Sequence, residues 1–284
     1  MSTKILRKWG QYMFKGFYTA ASGMLAQQRR TEMLTNNMAN SNTPGYKADQ
    51  SAVRTFPDLL QQTVDTYSQN GKTTKSTIGS LGTGVYMQEA IPTFTQGDIT
   101  QTDLKTDIAL VNINVPGDDN NTAGSIFFNI QDANGETKYT RNGNFTLDGQ
   151  GYLTTGSGLY VLDENNERIQ LPDDNFTVSN EGILTSSAGD AYRLGVSYTA
   201  DPKSLVKEGD GLFRAEDGQA LESAYTAGGV SFQLKQNFLE SSNVDASRTM
   251  TDMMSAYRSF EANQKILQAY DKSMDKAANE IGKV

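Results

Sequence analysis

The chain has 284 residues, and its formal net charge of −8 comes from 33 acidic against 25 basic side chains. This balance disfavours nucleic acid as a partner, because nucleic-acid binding depends chiefly on neutralising phosphates with Lys and Arg. The sequence contains no Cys and no His, which excludes disulfides and thiol catalysis and removes the commonest general base and metal ligand. No apolar run approaches 18 residues, so we expect no membrane insertion.

Residues 1–13 match neither the helical pattern that follows them nor a core pattern. They contain the only tryptophan, Trp9, and a second methionine, Met13, stands at their end. We interpret this segment as a leader or an upstream start, and an ordered functional tail is the alternative.

Residues 14–46 are predicted to form an N-terminal helix that ends in an Asn-rich cap. Within this segment, the residues of one helix face recur at alternating steps of three and four, which is the heptad pattern of a coiled-coil seam. The seam comprises Phe17, Ala20, Met24, Gln27, Thr31, Leu34 and Met38. Because its central positions are polar, the helix should depend on a neighbouring helix for its order. Asn residues and Pro44-Gly45 predict that the helix ends near Asn40.

Residues 47–81 are rich in Gln, Ser and Thr and are predicted to be a mobile polar linker. Their one apolar group is the sequence FPDLL at residues 56–60. We favour a short helical turn here that packs on the rest of the protein.

Residues 82–240 are predicted to form a β-rich body of sandwich or barrel type, because short strands alternate with turn signals. Strands at 125–130 and 137–141 flank Asn134-Gly135, a strong hairpin signal. The sequence from Phe145 to Gly158 is echoed 31 residues later, which predicts two similar strand-turn-strand units packed side by side.

Residues 241–284 are predicted to form a second seam helix, from Asn243 to Ile281, with Asn243 or Asp245 as its cap. Its seam comprises Met250, Met253, Tyr257, Phe260, Gln264, Leu267, Asp271, Met274, Ala278 and Ile281. Polar Gln264 and Asp271 would restrict the register of packing. The predicted fold class is therefore α+β, with a β-rich central body inserted between N- and C-terminal coiled-coil helices. Periodicity alone equally allows two amphipathic helices that pack on one globular core.

Candidate catalytic and metal-binding patterns are better explained as turns. The acidic pair Asp163-Glu164 places its side chains on opposite faces of a strand, which suits a glycosidase poorly. The sequence from Asp163 to Glu167 alternates oxygen ligands as a calcium loop does, but it lacks the required Gly and the distant Glu, so we predict a hairpin turn. We therefore predict no catalytic, metal-binding or cofactor-binding residues, and no enzyme.

Two pairs of motifs at opposite ends of the chain carry a family resemblance. The sequences GFYTAASGMLAQQ at 16–28 and NNMANSNTPGYK at 36–47 resemble the N-terminal signature of flagellar basal-body rod and hook proteins. The sequences LESSNVD at 239–245 and MSAYRSFEANQ at 254–264 resemble the C-terminal signature of that family. The sequence YTRNGNF at 139–145 is also similar to the family pattern.

The resemblance implies a structural rod subunit that polymerises through its terminal helices into a torque-transmitting shaft. Its implied partners are further copies of itself, other rod or hook subunits and the flagellar export apparatus, and its implied location is the basal body, outside the cytoplasmic membrane. In similar proteins the export gate recognises a Phe followed four residues later by an apolar residue, which corresponds here to Phe56 and Leu60. The alternatives are a hook-like protein and a secreted β-rich carbohydrate-binding or hydrolytic protein.

Overall fold

The computed structural model describes residues 3–57, 59–65, 74–117, 123–216, 218–277 and 279. Two long helices lie at the ends of the chain: α1 spans Thr3–Ala39 and α2 spans Ala246–Lys276. The residues between them form short strands. This confirms the predicted α+β class with a strand-rich central body between terminal helices.

Internal contacts divide the chain into two units. Unit 1 comprises Met1–Asn36, Gln50–Ala90 and Ser247–Val284, and unit 2 comprises Asn37–Asp49 and Ile91–Ala246. Strand β1 (Asp49–Gln50) lies where the chain passes from one unit to the other. The predicted body at 82–240 thus differs from unit 2, which also takes in the segment that follows α1.

Helix α1 begins at Thr3, which is earlier than residue 14, where the N-terminal helix was predicted to start. Residues 3–13 contain Leu, Lys, Arg, Gln and Met and no Pro, and these residue types favour a helix even without a heptad pattern. The other end of α1, at Ala39, agrees with the predicted end near Asn40.

Unit 1 also contains two antiparallel ladders. Strand β2 (Val53–Thr55) pairs with β5 (Val85–Met87), and β3 (Leu59–Asp65) pairs with β4 (Thr74–Leu81). Residues 47–81, predicted as a mobile linker, therefore contain strands. Their Thr and Val content favours strands although their polarity favours solvent.

Unit 2 is built from the remaining strands. They are β6 (Ile91–Pro92), β7 (Ile99–Gln101), β8 (Ile108–Asn114), β9 (Ser125–Gln131), β10 (Thr137–Thr140), β11 (Phe145–Leu147), β12 (Leu153–Thr155), β13 (Tyr160–Val161), β14 (Thr177–Val178), β15 (Ile183–Thr185), β16 (Ala191–Arg193), β17 (Val196–Thr199), β18 (Leu205–Lys207), β19 (Leu212–Ala215), β20 (Glu222–Ser223), β21 (Ser231–Gln236) and β22 (Phe238–Glu240).

Strand β9 is the centre of a nine-stranded sheet, in which it pairs with β10, β13 and β17. Its residues from Ser125 to Ile130 are all buried. Ile126, Phe128 and Ile130 pack in the larger of two apolar clusters, and Phe127 packs in the smaller one with Phe213. A strand buried on both faces explains the run of apolar residues at this point.

The hairpins of unit 2 repeat one turn. At Asp132, Asp148 and Asp163 a carboxylate oxygen accepts the N–H groups two and four residues later, and the fourth residue of the turn has a positive φ. The predicted hairpin turns at Asn134-Gly135 and at Asp163 are thereby confirmed. In the two copies of the echo, the equivalent residues Asp148 and Ser179 each accept the N–H of the residue four positions later, so the two units share this turn, although β11–β12 and β14–β15 lie in different sheets.

Candidate assembly surfaces

One stripe of α2 is buried or half-buried along the helix. It follows steps of three and four residues through Thr249, Met253, Ala256, Phe260, Asn263, Leu267, Tyr270 and Met274. Such a spacing keeps side chains on one face of a helix. The heptad period of the predicted seam is therefore present in the single chain.

Helix α1 approaches this stripe in the antiparallel direction. The Oγ1 atom of Thr35 lies 3.6 Å from the Sδ atom of Met253. Nearer the start of α1, a Cβ atom at Gly23 would lie 3.0 Å from Nδ2 of Asn263, and one at Gly16 would collide with the hydroxyl of Tyr270. The two glycines therefore allow the helices to come close together within unit 1.

The predicted seam residues fall into two groups. On α1, Ala20 and Leu34 are buried, and the half-buried ones are Phe17, Met24, Gln27, Thr31 and Met38. On α2, the stripe contains Met253, Phe260, Leu267 and Met274, whereas Met250, Tyr257, Gln264 and Asp271 are exposed in the single chain. Ile281 and Ala278 lie outside the described residues.

Sequence reasoning missed half of the stripe. It placed the seam one residue too late at alternate positions, so that it passed over Thr249, Ala256, Asn263 and Tyr270. A small residue, an amide and a tyrosine are weak apolar signals. The seven-residue spacing of Gly16 and Gly23 was the available clue, because closely packed helices need small residues opposite larger ones.

A second apolar face of α2 is uncovered in the single chain. Met250, Met254 and Tyr257 are 51%, 49% and 55% exposed. Their spacing of four and three residues places them together, about a quarter turn from the stripe that approaches α1. On α1, Tyr18 and Leu25 are also exposed, with a spacing of seven.

The export-gate candidate Phe56 lies beside the β2–β5 ladder of unit 1. Its ring is 41% exposed and its centroid lies 5.3 Å from that of Tyr86. Its backbone N–H donates to the carbonyl of Gly84, and Leu60 lies in strand β3. The short helical turn favoured for residues 56–60 was therefore wrong, because the chain continues into a strand ladder. The side chain of Leu60 lies outside the described residues.

Unit 2 encloses a cluster of three charged side chains, which we call the charge cluster: Lys47, Arg141 and Glu240. Each is at most 2% exposed. The Nζ atom of Lys47 lies 2.5 Å from Oε1 of Glu240, and the Nε atom of Arg141 lies 2.6 Å from Oε2. Both carboxylate oxygens of Glu240 are thus paired with cations.

Neutral partners complete the charge cluster. Lys47 also donates to the carbonyl of Thr95, and Gly97 donates its N–H to Oε1 of Glu240. The guanidinium of Arg141 donates to the carbonyls of Leu110 and Ile126 and to the side-chain oxygen of Asn112. A buried ionic group is tolerated only when its hydrogen-bonding capacity is met in this way.

The electrostatics of the charge cluster follow from burial and pairing. Burial lowers the pKa of Lys47 to about 8, although the neighbouring Glu240 favours the charged ammonium. Burial alone would raise the pKa of Glu240, but Arg141 and Lys47 outweigh it, so this pKa is lowered. Glu240 is therefore held in its charged form.

A second polar network lies next to the charge cluster in chain order. The Asn37 side chain donates to the carbonyl of Asp49 and accepts from its N–H and from the Tyr46 hydroxyl. The ammonium of Lys207 lies 2.9 Å from Oδ2 of Asp49 and 4.2 Å from the Tyr46 ring centroid. Burial and the charge of Asp49 raise the pKa of Tyr46. The network fixes the segment that leaves α1.

Asn243 fixes the segment that leads into α2. Its amide nitrogen donates to the carbonyl of Thr93 at 2.8 Å, and its amide oxygen accepts the N–H of Ala48 at 2.7 Å. Its side chain therefore bonds to two other segments of unit 2, and Asp245, the other residue predicted as the cap, stands immediately before α2, which begins at Ala246.

Two further features are absent from the part of the chain that the structure describes. No group of three or more His, Cys, Asp or Glu side chains there is placed to hold a metal ion. None of the helices there combines the length and the apolar character that a membrane span requires.

Comparison with protein families places all three charged residues of the cluster in matched segments. Residues 17–47 match the family described as flagella basal body rod protein, and residues 122–186 match the flagellar hook protein FlgE/F/G D1 domain. Residues 235–280 match the C-terminal family of flagellar basal body rod FlgEFG proteins. Each of the three segments contributes one member of the charge cluster.

Full-length relatives give the same result. The chain is 47% identical over 273 residues to the flagellar hook-basal body complex protein FlhO of Bacillus subtilis, a match that covers 96% of this chain and 100% of the relative. It is 31% identical to the flagellar basal-body rod protein FlgG of the same organism, with 94% and 99% covered, and 28% identical to FlgF of Caulobacter vibrioides, with 96% and 100% covered. The chain therefore belongs to the flagellar basal-body rod and hook protein family.

Proposed function

We propose that this protein is a structural, non-enzymatic subunit of the flagellar basal-body rod. The proposal is supported by relatives that are named as rod or hook-basal body proteins and that align over nearly their whole length. Its partners are further copies of itself, other rod or hook subunits and the flagellar export apparatus, and its location is the basal body. The observation that carries the mechanism is the pairing of α1 with α2 in unit 1.

The paired helices polymerise because they leave apolar side chains uncovered. Thr35 of α1 meets Met253 of α2 within the chain, whereas Met250 and Tyr257 are exposed. Covering apolar surface is favourable by roughly 25 cal/mol per Å². A contact between different faces of neighbouring copies generates a helical filament when the rotation between copies does not close a ring.

This mechanism divides the seam by role. Met253, Phe260, Leu267 and Met274 pack within the subunit, and Met250, Tyr257, Gln264 and Asp271 contact a neighbour in a coiled-coil arrangement. Polar Gln264 and Asp271 then restrict the offset between copies, because a shifted register would place them against apolar side chains.

Substitution of Tyr257 tests the exposed face. Tyr257→Asp should leave the helical content and thermal unfolding of the free subunit nearly unchanged, because the side chain is exposed. It should abolish incorporation into basal bodies and swimming, because a neighbour would bury an unpaired charge. The measurement is immunoblotting of purified basal bodies together with a motility assay.

Ser259→Asp is the matched control. Ser259 is exposed on α2 and lies about half a turn from Tyr257, so the same charge is introduced on the other side of the helix. The control should assemble and swim normally. Normal swimming of the Tyr257→Asp strain would contradict the proposed assembly face.

Site-specific cross-linking in purified basal bodies separates the alternatives. A rod subunit should cross-link to rod proteins, and cross-links only to hook subunits would favour a hook-like role. If the full chain binds glycans and the protein is absent from purified basal bodies, a secreted carbohydrate-binding protein would be favoured.

A further inference from the structure

The charge cluster joins three parts of unit 2 that are far apart in sequence. Lys47 follows α1, Arg141 follows strand β10 in the middle of the chain, and Glu240 ends strand β22 just before α2. Backbone bonds accompany the side chains: the N–H of Gly45 donates to the carbonyl of Glu240, and the N–H of Ser241 donates to the carbonyl of Asp98. The cluster therefore forms only when all three segments are in place.

The charges make this requirement severe. Lys47 and Arg141 carry two positive charges into the interior, and among the groups bonded to them in the described structure Glu240 supplies the only negative charge. Their other partners are neutral carbonyls and one amide. Removing one partner of a buried ion pair is far more costly than replacing the whole group by apolar residues, because the remaining charges stay buried without compensation.

We propose that Lys47, Arg141 and Glu240 act as a lock that makes closure of unit 2 conditional on docking of the segment that leads into α2. Until Glu240 arrives, closing the sheet around Arg141 and Lys47 would bury two like charges. Unit 2 therefore stays open while its last strand is undocked. This property belongs to the free chain and does not depend on assembly into a rod.

The lock has a consequence for the ends of the helices. The segments at Gly45–Lys47 and at Glu240–Asn243 become fixed together with the sheet in one step. A chain that has lost the docking of β22 would then present a loosened sheet instead of a closed body with a free end. The lock can be measured as cooperative opening of β22 and β9, in which the amides of both strands exchange through one event.

Hydrogen exchange of the full-length free subunit tests the proposal with two variants. In the unsubstituted protein the slowest amides of β9 and those of β22 should exchange through the same opening, at rates within about threefold. Glu240→Gln keeps the shape but removes the charge, so exchange in β9 should accelerate on the order of 100- to 1,000-fold. The control Glu208→Gln removes a half-exposed carboxylate paired with Lys138 and Arg214, and it should change exchange in β9 less than about fivefold.

The triple variant Lys47→Met/Arg141→Met/Glu240→Leu separates charge from packing. Because no charge remains to be compensated, β9 should stay protected within about tenfold of the unsubstituted protein. The amides of β22 should then exchange at least about tenfold faster than those of β9. Unchanged exchange in Glu240→Gln, joint opening of β9 and β22 in the triple variant, or failure of the triple variant to fold would each overturn the proposal.

Discussion

Glu240 in unit 2 bonds to cations through both carboxylate oxygens. Tyr257, which lies on helix α2 in unit 1, is instead 55% exposed. Around Glu240, the charged side chains of Lys47 and Arg141 are buried and paired within the chain. Around Tyr257 apolar groups are left uncovered. The charge cluster thus meets its hydrogen-bonding requirements within unit 2, whereas Met250, Met254 and Tyr257 leave apolar surface of unit 1 exposed in the single chain.

If the proposed assembly mechanism holds, stability and assembly depend on different residues. Substitutions in the interior of unit 2 should change folding first and assembly as a result of it. Substitutions on the exposed faces of α1 and α2 should change assembly and leave folding nearly intact. Each of the following experiments tests this separation, in order of the expected loss of stability.

The largest loss is expected in the apolar interior of unit 2. Phe128 is fully buried, and its ring packs edge-on against Phe145 at 5.1 Å between centroids. Phe128→Ala should lower the free energy of unfolding by about 3–5 kcal/mol, because it leaves a cavity in a packed core. Urea denaturation followed by circular dichroism measures the change.

Ile113→Ala is the control for Phe128→Ala. Ile113 belongs to strand β8 of the same unit but is 59% exposed. The loss should be below about 1 kcal/mol, because little apolar surface is withdrawn from water at this position. Equal losses in the two variants would remove the distinction between a packed interior and an open surface in unit 2.

A smaller, pH-dependent loss is expected from Glu240. Its pKa in the folded protein is lowered below the ordinary value of 4.5, because Arg141 and Lys47 outweigh the effect of burial. The folded state therefore binds fewer protons than the unfolded state in this range. The resulting stability is fully present above about pH 4.5 and is lost as the pH falls through the lowered pKa.

Urea midpoints measured between pH 7 and pH 3 test this linkage. The unsubstituted protein should lose stability below about pH 4.5. Glu240→Gln, which cannot titrate, should begin less stable and show a flatter decline. Parallel declines in the two proteins would show that other carboxylates account for acid unfolding of unit 2.

The parts of the structure that could be predicted from the sequence are those with local sequence signals. Heptad spacing and turn residues are local signals, so the terminal helices, the Asn134-Gly135 hairpin and the turn at Asp163 were recognised. The strands between Lys47 and Leu81 were missed because their polar composition resembles a linker. The start of α1 at Thr3 was missed because residues 3–13 have helix propensity but no heptad pattern.

The charge cluster could not be predicted from local patterns. Lys47, Arg141 and Glu240 each stand in a quoted motif, but a charged residue in a polar segment normally indicates a solvated surface. Only the fold brings the three segments together. The stripe of α2 that faces inward in the single chain is hard to predict for a related reason, because half-buried Asn263 lies against Gly23 of α1 and is not itself apolar.

A modest change in stability is expected at Phe56, where the prediction concerns export. Its ring is half-exposed and contacts Tyr86, so Phe56→Ala should cost only about 0.5–1.5 kcal/mol. If the export gate recognises Phe56 and Leu60, secretion of the subunit should nevertheless fall severalfold.

Val53→Ala is the matched control, because Val53 has the same 41% exposure and lies in the adjoining strand β2. The ratio of secreted to cellular protein measures the effect, and undiminished secretion of Phe56→Ala/Leu60→Ala would remove the gate role from this segment. A severalfold loss of export in Phe56→Ala without a comparable loss of stability would place recognition on a side chain that unit 1 leaves half-exposed.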